Sequence, residues 1–419
     1  MSGFVGRGRH DVVTADEMTS VEDHLDALLD LLPQTDPIEL RVLDSVGLVL
    51  AEDVVSRVSL PAFPNSAMDG YAVVASDLSD ASIGQPVQLP VIGEIAAGDS
   101  DIPQISPGRC VRIMTGAPIP VGADTVVPVE TTSGEHDRVS FHRPYTPGSN
   151  VRRVGEDLAP GQPLVAAGRR ITPADVALLA NAGQVRVPCN PPPRVVVLAT
   201  GDELVPADQT PGPGQIRDGN GPMIAALVRQ AGATPFSGGI VRDDRKALMY
   251  ALDSNLGHAD LVVCTGGASA GTRDLLPEVI GALGEVTTAK VAMQPGMPQI
   301  LGRVRDVPIV GLPGNPVSAF VSFEVFVRPA LRTMQGRRDV ARPRVRAEVT
   351  ETLTSPPYKR SFLRVRLAHT EGRWTASSTG GQGSHLVSSI ALADGLAIIP
   401  EDVTTVEPGT QVDVQLLVD

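Results

Sequence analysis

Three runs in the second half of the chain are apolar at almost every position: Arg194-Val195-Val196-Val197-Leu198-Ala199-Thr200, Asp260-Leu261-Val262-Val263-Cys264-Thr265 and Val307-Pro308-Ile309-Val310-Gly311-Leu312. A strand without a polar face must be covered on both sides, so these runs predict a parallel sheet layered between helices. Residues 222–232, 246–257 and 274–284 supply the helical spacing between and around them. In such a sheet, ligands sit beyond the carboxyl ends of the strands.

Elsewhere the texture differs. Ser20 to Leu32 reads as an amphipathic helix, with Val21, Leu25, Leu28, Leu29 and Leu32 on one face and Ser20 as its N-cap. From about residue 60 to 147 the runs are short, Val/Ile-rich and broken by Pro and Gly, which favours strands. Thr172 caps a second helix that begins at Pro173 and closes at Gly183. Asn315 and Pro316 open a third, expected to run through Val327. After Gly336 strand character returns, including the whole of residues 385–400.

A length of 419 residues exceeds the ~250–300 at which one core stops growing, so several domains are expected. A net charge of −13 repels a nucleic-acid backbone, and aromatic residues at 3% give few stacking platforms, so nucleic acid is excluded as a partner. No apolar run reaches the ~20 residues of a membrane span, and the basic start lacks a following apolar stretch; a cytoplasmic protein with no membrane partner is expected. Cys110, Cys189 and Cys264 show no metal-binding spacing and are expected as small buried apolar groups.

Three strand ends carry unusual chemistry. Thr200-Gly201-Asp202-Glu203 exposes two carboxylates on a tight turn; Thr265-Gly266-Gly267-Ala268-Ser269-Ala270-Gly271-Thr272-Arg273-Asp274 is glycine-rich; Gly311-Leu312-Pro313-Gly314-Asn315-Pro316 precedes a helix. Glycine-rich turns let backbone N–H groups approach an anion closely. Three of them at strand ends of one sheet describe a cradle for a phosphate or a pterin. Neither the dinucleotide-binding fingerprint nor the P-loop pattern is present, so a nucleotide-dependent oxidoreductase loses its support.

From about residue 19 to its end the chain resembles the MoeA family, including the corresponding domain of gephyrin. Besides the three turns, the resemblance rests on Pro61-Ala62-Phe63-Pro64-Asn65-Ser66-Ala67-Met68-Asp69-Gly70-Tyr71, Val111-Arg112-Ile113-Met114-Thr115-Gly116-Ala117-Pro118, Asn150-Val151-Arg152-Arg153-Val154-Gly155-Glu156-Asp157 and Thr379-Gly380-Gly381-Gln382-Gly383-Ser384-His385. It implies a multidomain α/β plus β architecture. After a mobile tail over residues 1–18 come an elongated helix-containing domain built from 19–57 and 148–190, a β-rich insertion over 58–147, a doubly wound molybdopterin-binding α/β domain over 191–336 and a C-terminal β barrel over 337–419. It further implies a homodimer with its active site in a cleft between subunits, and contacts with other cofactor-synthesis proteins and molybdoenzymes.

The implied substrates are adenylylated molybdopterin and molybdate, with Mg²⁺ as metal and AMP as leaving product. Two anions must then meet in an acidic protein, and carboxylates holding a hard cation reconcile the charges. By motif position the resemblance implies Asp157, Glu203, Asp243 and Asp274 as metal ligands, and Asp69, Thr115, Glu203, Asp274 and Lys290 in catalysis. It implies Gly266, Gly267, Ser269, Gly271, Pro313, Gly314 and Asn315 around the pterin, and Arg152, Arg364 and Ser384 at the oxyanions. Plainer readings stand beside these. Asp243 or Asp244 caps the next helix, Glu203 decorates a surface turn, Asp69 forms an Asx-turn before Gly70, and Arg152 and Arg364 make ordinary ion pairs.

One departure bears on function. Where the family has the form KxxxKPGKP, this chain reads Lys290-Val291-Ala292-Met293-Gln294-Pro295-Gly296-Met297-Pro298, so the second and third lysines are Gln294 and Met297. That leaves two readings: an enzyme that inserts molybdenum, or a low-activity paralogue that carries or scaffolds the cofactor.

Overall fold

The computed structural model describes residues 18–33, 35–134, 137–267 and 275–418. They divide into two compact units: one holds the residues up to Ile38, Gly168–Arg170 and those from Cys189 onward; the other holds Glu39–Ala167 and Ile171–Pro188. Ser269, Gly271 and Asp274, and the tail expected over residues 1–18 except its last residue, lie outside the described residues.

The first unit is built on a six-stranded sheet of β1 (Arg194–Thr200), β2 (Thr234–Val241), β3 (Leu261–Thr265), β4 (Glu285–Lys290), β5 (Pro298–Val304) and β6 (Val307–Leu312), in the order β2-β1-β3-β6-β5-β4. The all-apolar runs form β1, β3 and β6, neighbours in the middle of the sheet. Alternate residues of β1 serve two cores. Val195 and Val197 meet Ile224, Leu227, Val228 and Phe320 on one face, while Val196 and Leu198 meet Leu248, Leu252, Leu256, Val279 and Ile280 on the other. At roughly 1.5–3 kcal/mol per buried aliphatic side chain, this strand anchors the turn that follows it.

One expectation for this sheet needs correction. It is mixed: β2, β1, β3 and β6 are parallel, but β5 runs antiparallel to β6 and to β4. Only Arg305 and Asp306 separate β5 from β6, and so short a link permits a hairpin and no crossover. The glycine-rich segment before residue 240 is itself a strand, β2 at the sheet edge. A Cβ at Gly238 would stand 2.3 Å from Leu198 Cδ2, so close packing rather than a turn explains that glycine.

The first helix, Val21–Asp30, starts where the Ser20 hydroxyl accepts the Asp23 N–H at 2.9 Å. It lays Val21 and Leu28 into the first core and buries His24, 3% exposed, edge-on against Phe326 at 4.7 Å. Burial drives the His24 imidazole down to about 4 from 6.5. The unfolded chain therefore binds one more proton than the folded one between these values. Stability is full above pH ~6.5 and declines as pH falls towards ~4, by roughly 3 kcal/mol if this group acts alone. His24→Leu should flatten that stretch of a urea-midpoint-versus-pH curve; an unchanged slope would remove His24 as its source.

The third expected helix is in three pieces: Pro316–Ser322, a single π-helical stretch over Phe323–Val327, and Arg328–Met334. Here Glu324, fully buried, accepts from Arg342 Nε at 2.7 Å.

β7 (Arg344–Val349), β8 (Arg360–Thr370), β9 (Arg373–Ser378), β10 (Gly395–Ile399) and β11 (Gln411–Leu416) close into a five-stranded barrel, since β8 pairs with both β9 and β10 while β7 and β11 complete the ring. Val349, Leu363, Val365, Ala397 and Val414 fill its core. The strand expected across residues 385–400 is confined to β10, because Val387–Ala391 is a short helix carrying Ile390 towards the α/β core.

The second unit contains a six-stranded sheet in the order Thr125–Pro128, Gly70–Val73, Cys110–Ile113, Val87–Ile95, Arg138–Phe141, Thr132–Ser133. Its helix Pro173–Asn181 begins as expected, with Thr172 and Asp175 forming a reciprocal capping box. All three cysteines are buried and free.

Candidate active site

In the first unit a cavity of about 880 Å³ lies beyond the carboxyl ends of β1, β3 and β6, with Asp243 reaching it from beyond β2. Gly266, Gly267, Pro313, Gly314 and Asn315 line it together with Glu203, so all three strand-end turns share one space. Gly266 and Gly267 have φ of +91° and +69°. A Cβ on Gly266 would lie 2.5 Å from the Thr200 carbonyl oxygen, so the turns after β1 and β3 touch backbone to backbone. The Asn220 amide fixes the third turn by donating to the Gly314 carbonyl at 2.7 Å.

The acids divide by task. Asp244, not Asp243, caps the helix Arg245–Leu256, accepting the Ala247 N–H at 2.8 Å. Asp243 is thereby free to line the cavity. Its carboxyl is pushed above the usual range, first by partial burial and then by the like charges of Asp202 and Glu203. A cation placed there would relieve that repulsion. The Glu203 carboxylate folds back over Gly201, where a Cβ would stand 2.7 Å from Glu203 Oε2. Among the described residues no three His, Cys, Asp or Glu side chains converge as a complete metal cluster.

Lys290 ends β4 with an exposed side chain; its backbone pairs with Pro298, which lines the cavity. Arg364 lies on β8, wholly buried. Its Nε donates to Ser389 Oγ at 3.2 Å and its Nη2 to the Gly383 carbonyl at 3.3 Å, while Nη1 has no partner among the described residues. Burial lowers its pKa to about 10, which still leaves a full charge at neutral pH. The ordinary ion pair is thus not what holds Arg364. Ser384 follows Gly383; its carbonyl accepts the Val317 N–H at 3.1 Å, and His385, next in sequence, lines the cavity.

In the second unit Asp69 and Thr115 come together. The carboxylate accepts the Thr115 N–H at 2.7 Å and the Thr115 hydroxyl at 2.8 Å, and these two bonds, the backbone one foremost, hold its pKa below the ordinary value. Arg152 sits in the short strand Val151–Arg152, paired with Asn65–Ser66; the Ser66 carbonyl accepts the Gly116 N–H, so Arg152 shares this neighbourhood with the Asp69 and Thr115 loops. Asp157 is exposed, its N–H tied to the Leu60 carbonyl.

Several lining residues escape a reading of motifs: Arg217, Asp218 and Asn220. Asp218-Gly219-Asn220-Gly221 reads as turn punctuation, and nothing local to Arg217 says that a strand pair, Leu204–Val205 with Ile216–Arg217, turns it towards the cavity.

Comparison with known proteins agrees with this construction. Residues 19–183 match the MoeA N-terminal region (domain I and II), residues 196–333 a probable molybdopterin binding domain, and residues 346–417 the MoeA C-terminal region (domain IV). The chain is 45% identical to molybdopterin molybdenumtransferase 2 of Mycobacterium tuberculosis, over 95% of this chain and 99% of the relative. It is 37% identical to molybdopterin molybdenumtransferase of Bacillus subtilis, over 89% and 88%. The crystal structure of a molybdopterin biosynthesis MoeA protein from Pyrococcus horikosii superposes with a TM-score of 0.83 at 33% identity, covering 95% of this chain and 99% of that one. With its doubly wound α/β domain, β-rich domain and C-terminal barrel, the chain belongs to the molybdopterin molybdenumtransferase (MoeA) family and is a transferase of molybdenum cofactor biosynthesis.

Proposed function

We propose that this protein transfers molybdenum from molybdate to adenylylated molybdopterin, with Mg²⁺-dependent release of AMP. The observation that carries the reading is the convergence of glycine-rich turns and two carboxylates, Glu203 and Asp243, on one cavity at the sheet's carboxyl edge. The cavity volume of about 880 Å³ suits a large, two-headed substrate. Close-approaching backbone at Gly266, Gly267 and Gly314 binds and orients the pterin and its phosphate. Glu203 and Asp243 would hold Mg²⁺, together with Asp274 from the undescribed segment. Bound there, the ion would offset phosphate charge and assist departure of the AMP oxygen.

Molybdate is assigned to Arg364, with Ser384 beside it. A buried guanidinium lacking an acidic partner among the described residues gains most from an oxyanion, which would replace the 3.3 Å contact with the Gly383 carbonyl. Asp69, Thr115 and Arg152 are proposed as the second unit's contribution, Lys290 as a further cation, and Asp157 as an additional metal ligand. A homodimer in the cytosol completes the reading; free buried thiols suit a reducing compartment, and among the described residues no helix is long and apolar enough to cross a membrane.

A carrier or scaffold role is the second reading, favoured by Gln294 and Met297 in place of lysines. Purified protein mixed with adenylylated molybdopterin, molybdate and Mg²⁺ distinguishes the two. The enzyme releases AMP stoichiometrically with molybdenum loading, whereas a carrier retains the adenylate uncleaved.

A further inference from the structure

Arg217 stands out among the groups that the reading above leaves unused. Among the described residues lining the strand-end cavity it is the one Lys or Arg, and three carboxylates, those of Glu203, Asp218 and Asp243, line the same cavity. It nevertheless makes no ion pair with them or with any other described residue. Its Nε donates to the Ala207 carbonyl at 3.1 Å, which fixes the plane of the guanidinium and leaves both Nη groups uncommitted. The residue is exposed, so a ligand can reach those groups without rearrangement. An anchored guanidinium with two free donors is suited to bidentate recognition of a phosphoanhydride. Pro298 lines the same cavity and is next to Met297, one of the two positions where the family pattern has a lysine and this chain has none.

We infer that Arg217 binds the phosphoanhydride of the substrate and supplies, from a different strand pair, positive charge that this chain lacks at Met297. The inference rests on the proposed cleavage of adenylylated molybdopterin, whose phosphates must lie in this cavity. Arg217 contacts bound substrate; it moves no proton.

The test uses four full-length proteins: wild type, Arg217→Met, Met297→Lys and the double variant. Arg217→Met should fold with an unchanged melting temperature. It should raise KM for adenylylated molybdopterin about tenfold or more while kcat changes far less, the loss expected for one charge-assisted contact. Binding of ADP, a phosphoanhydride probe that requires no turnover, should weaken by a similar factor in calorimetry. Met297→Lys should recover most of both losses in the Arg217→Met background and change wild type less than about twofold. Unaltered ADP binding in Arg217→Met, or an equal effect of Met297→Lys in both backgrounds, overturns the inference. A wild type that binds ADP through Arg217 yet releases no AMP would instead count against the proposed reaction and leave the binding assignment standing.

Discussion

Arg364→Met is expected to lower molybdate-dependent turnover by about 100-fold or more while leaving the protein at least as resistant to urea as wild type. The two halves of this result have one cause. Arg364 is a fully buried charge whose side-chain partners among the described residues are a serine hydroxyl and a backbone carbonyl, both above 3 Å, and one of its Nη groups has no partner among them. Keeping such a charge costs stability, so an apolar residue of similar length is neutral or stabilising in its place. A preorganised donor aimed at an oxyanion, in contrast, is worth about 10²–10³ in rate. Urea midpoints and steady-state AMP release on the same preparation check both halves. Parallel losses of stability and turnover would mean that Arg364 only braces the loop at Gly383.

Gly266→Ala is expected to destabilise the first unit by about 3 kcal/mol or more and to abolish retention of molybdopterin. The added methyl would sit 2.5 Å from the Thr200 carbonyl oxygen and 2.7 Å from its hydroxyl, at a backbone φ of +91° that disfavours any side chain. Left-handed strain accounts for about 1–3 kcal/mol, and the contact with β1 backbone, which two cores hold in place, adds to it. Gly314→Ala is the control: among the described residues its methyl meets only Gly266 Cα at 3.5 Å, an ordinary contact, so a loss within about 1 kcal/mol is expected. Equal melting temperatures for the two variants would refute the close approach.

The sequence makes the α/β core legible because burial on both faces leaves an apolar mark at every residue of 195–199 and 261–264. Helix starts are equally readable where a cap is local, as at Ser20 and Thr172. What it hides is non-local. The Gly238–Gly239 stretch looks like a loop because its neighbour Leu198, 40 positions away, takes the space a side chain would fill. The reversal of β5 depends on a short link rather than on composition. Residues 385–400 carry apolar residues compatible with strand or helix, and tertiary packing of Ile390 decides. At the site, residues next to glycine-rich motifs reach the cavity, whereas Arg217 and Asn220 arrive through a strand pair and a turn with no motif of their own.

Glu203 and Asp243 are proposed to serve cleavage of the adenylate at the strand-end cavity. The most direct measurement is AMP release as a function of Mg²⁺ concentration for wild type and for Glu203→Gln combined with Asp243→Asn, each protein first shown to bind adenylylated molybdopterin. Substrate bound by both, with AMP released in a Mg²⁺-dependent manner by wild type alone, is the predicted result. Equal AMP release by the two proteins, at every Mg²⁺ concentration, would contradict it.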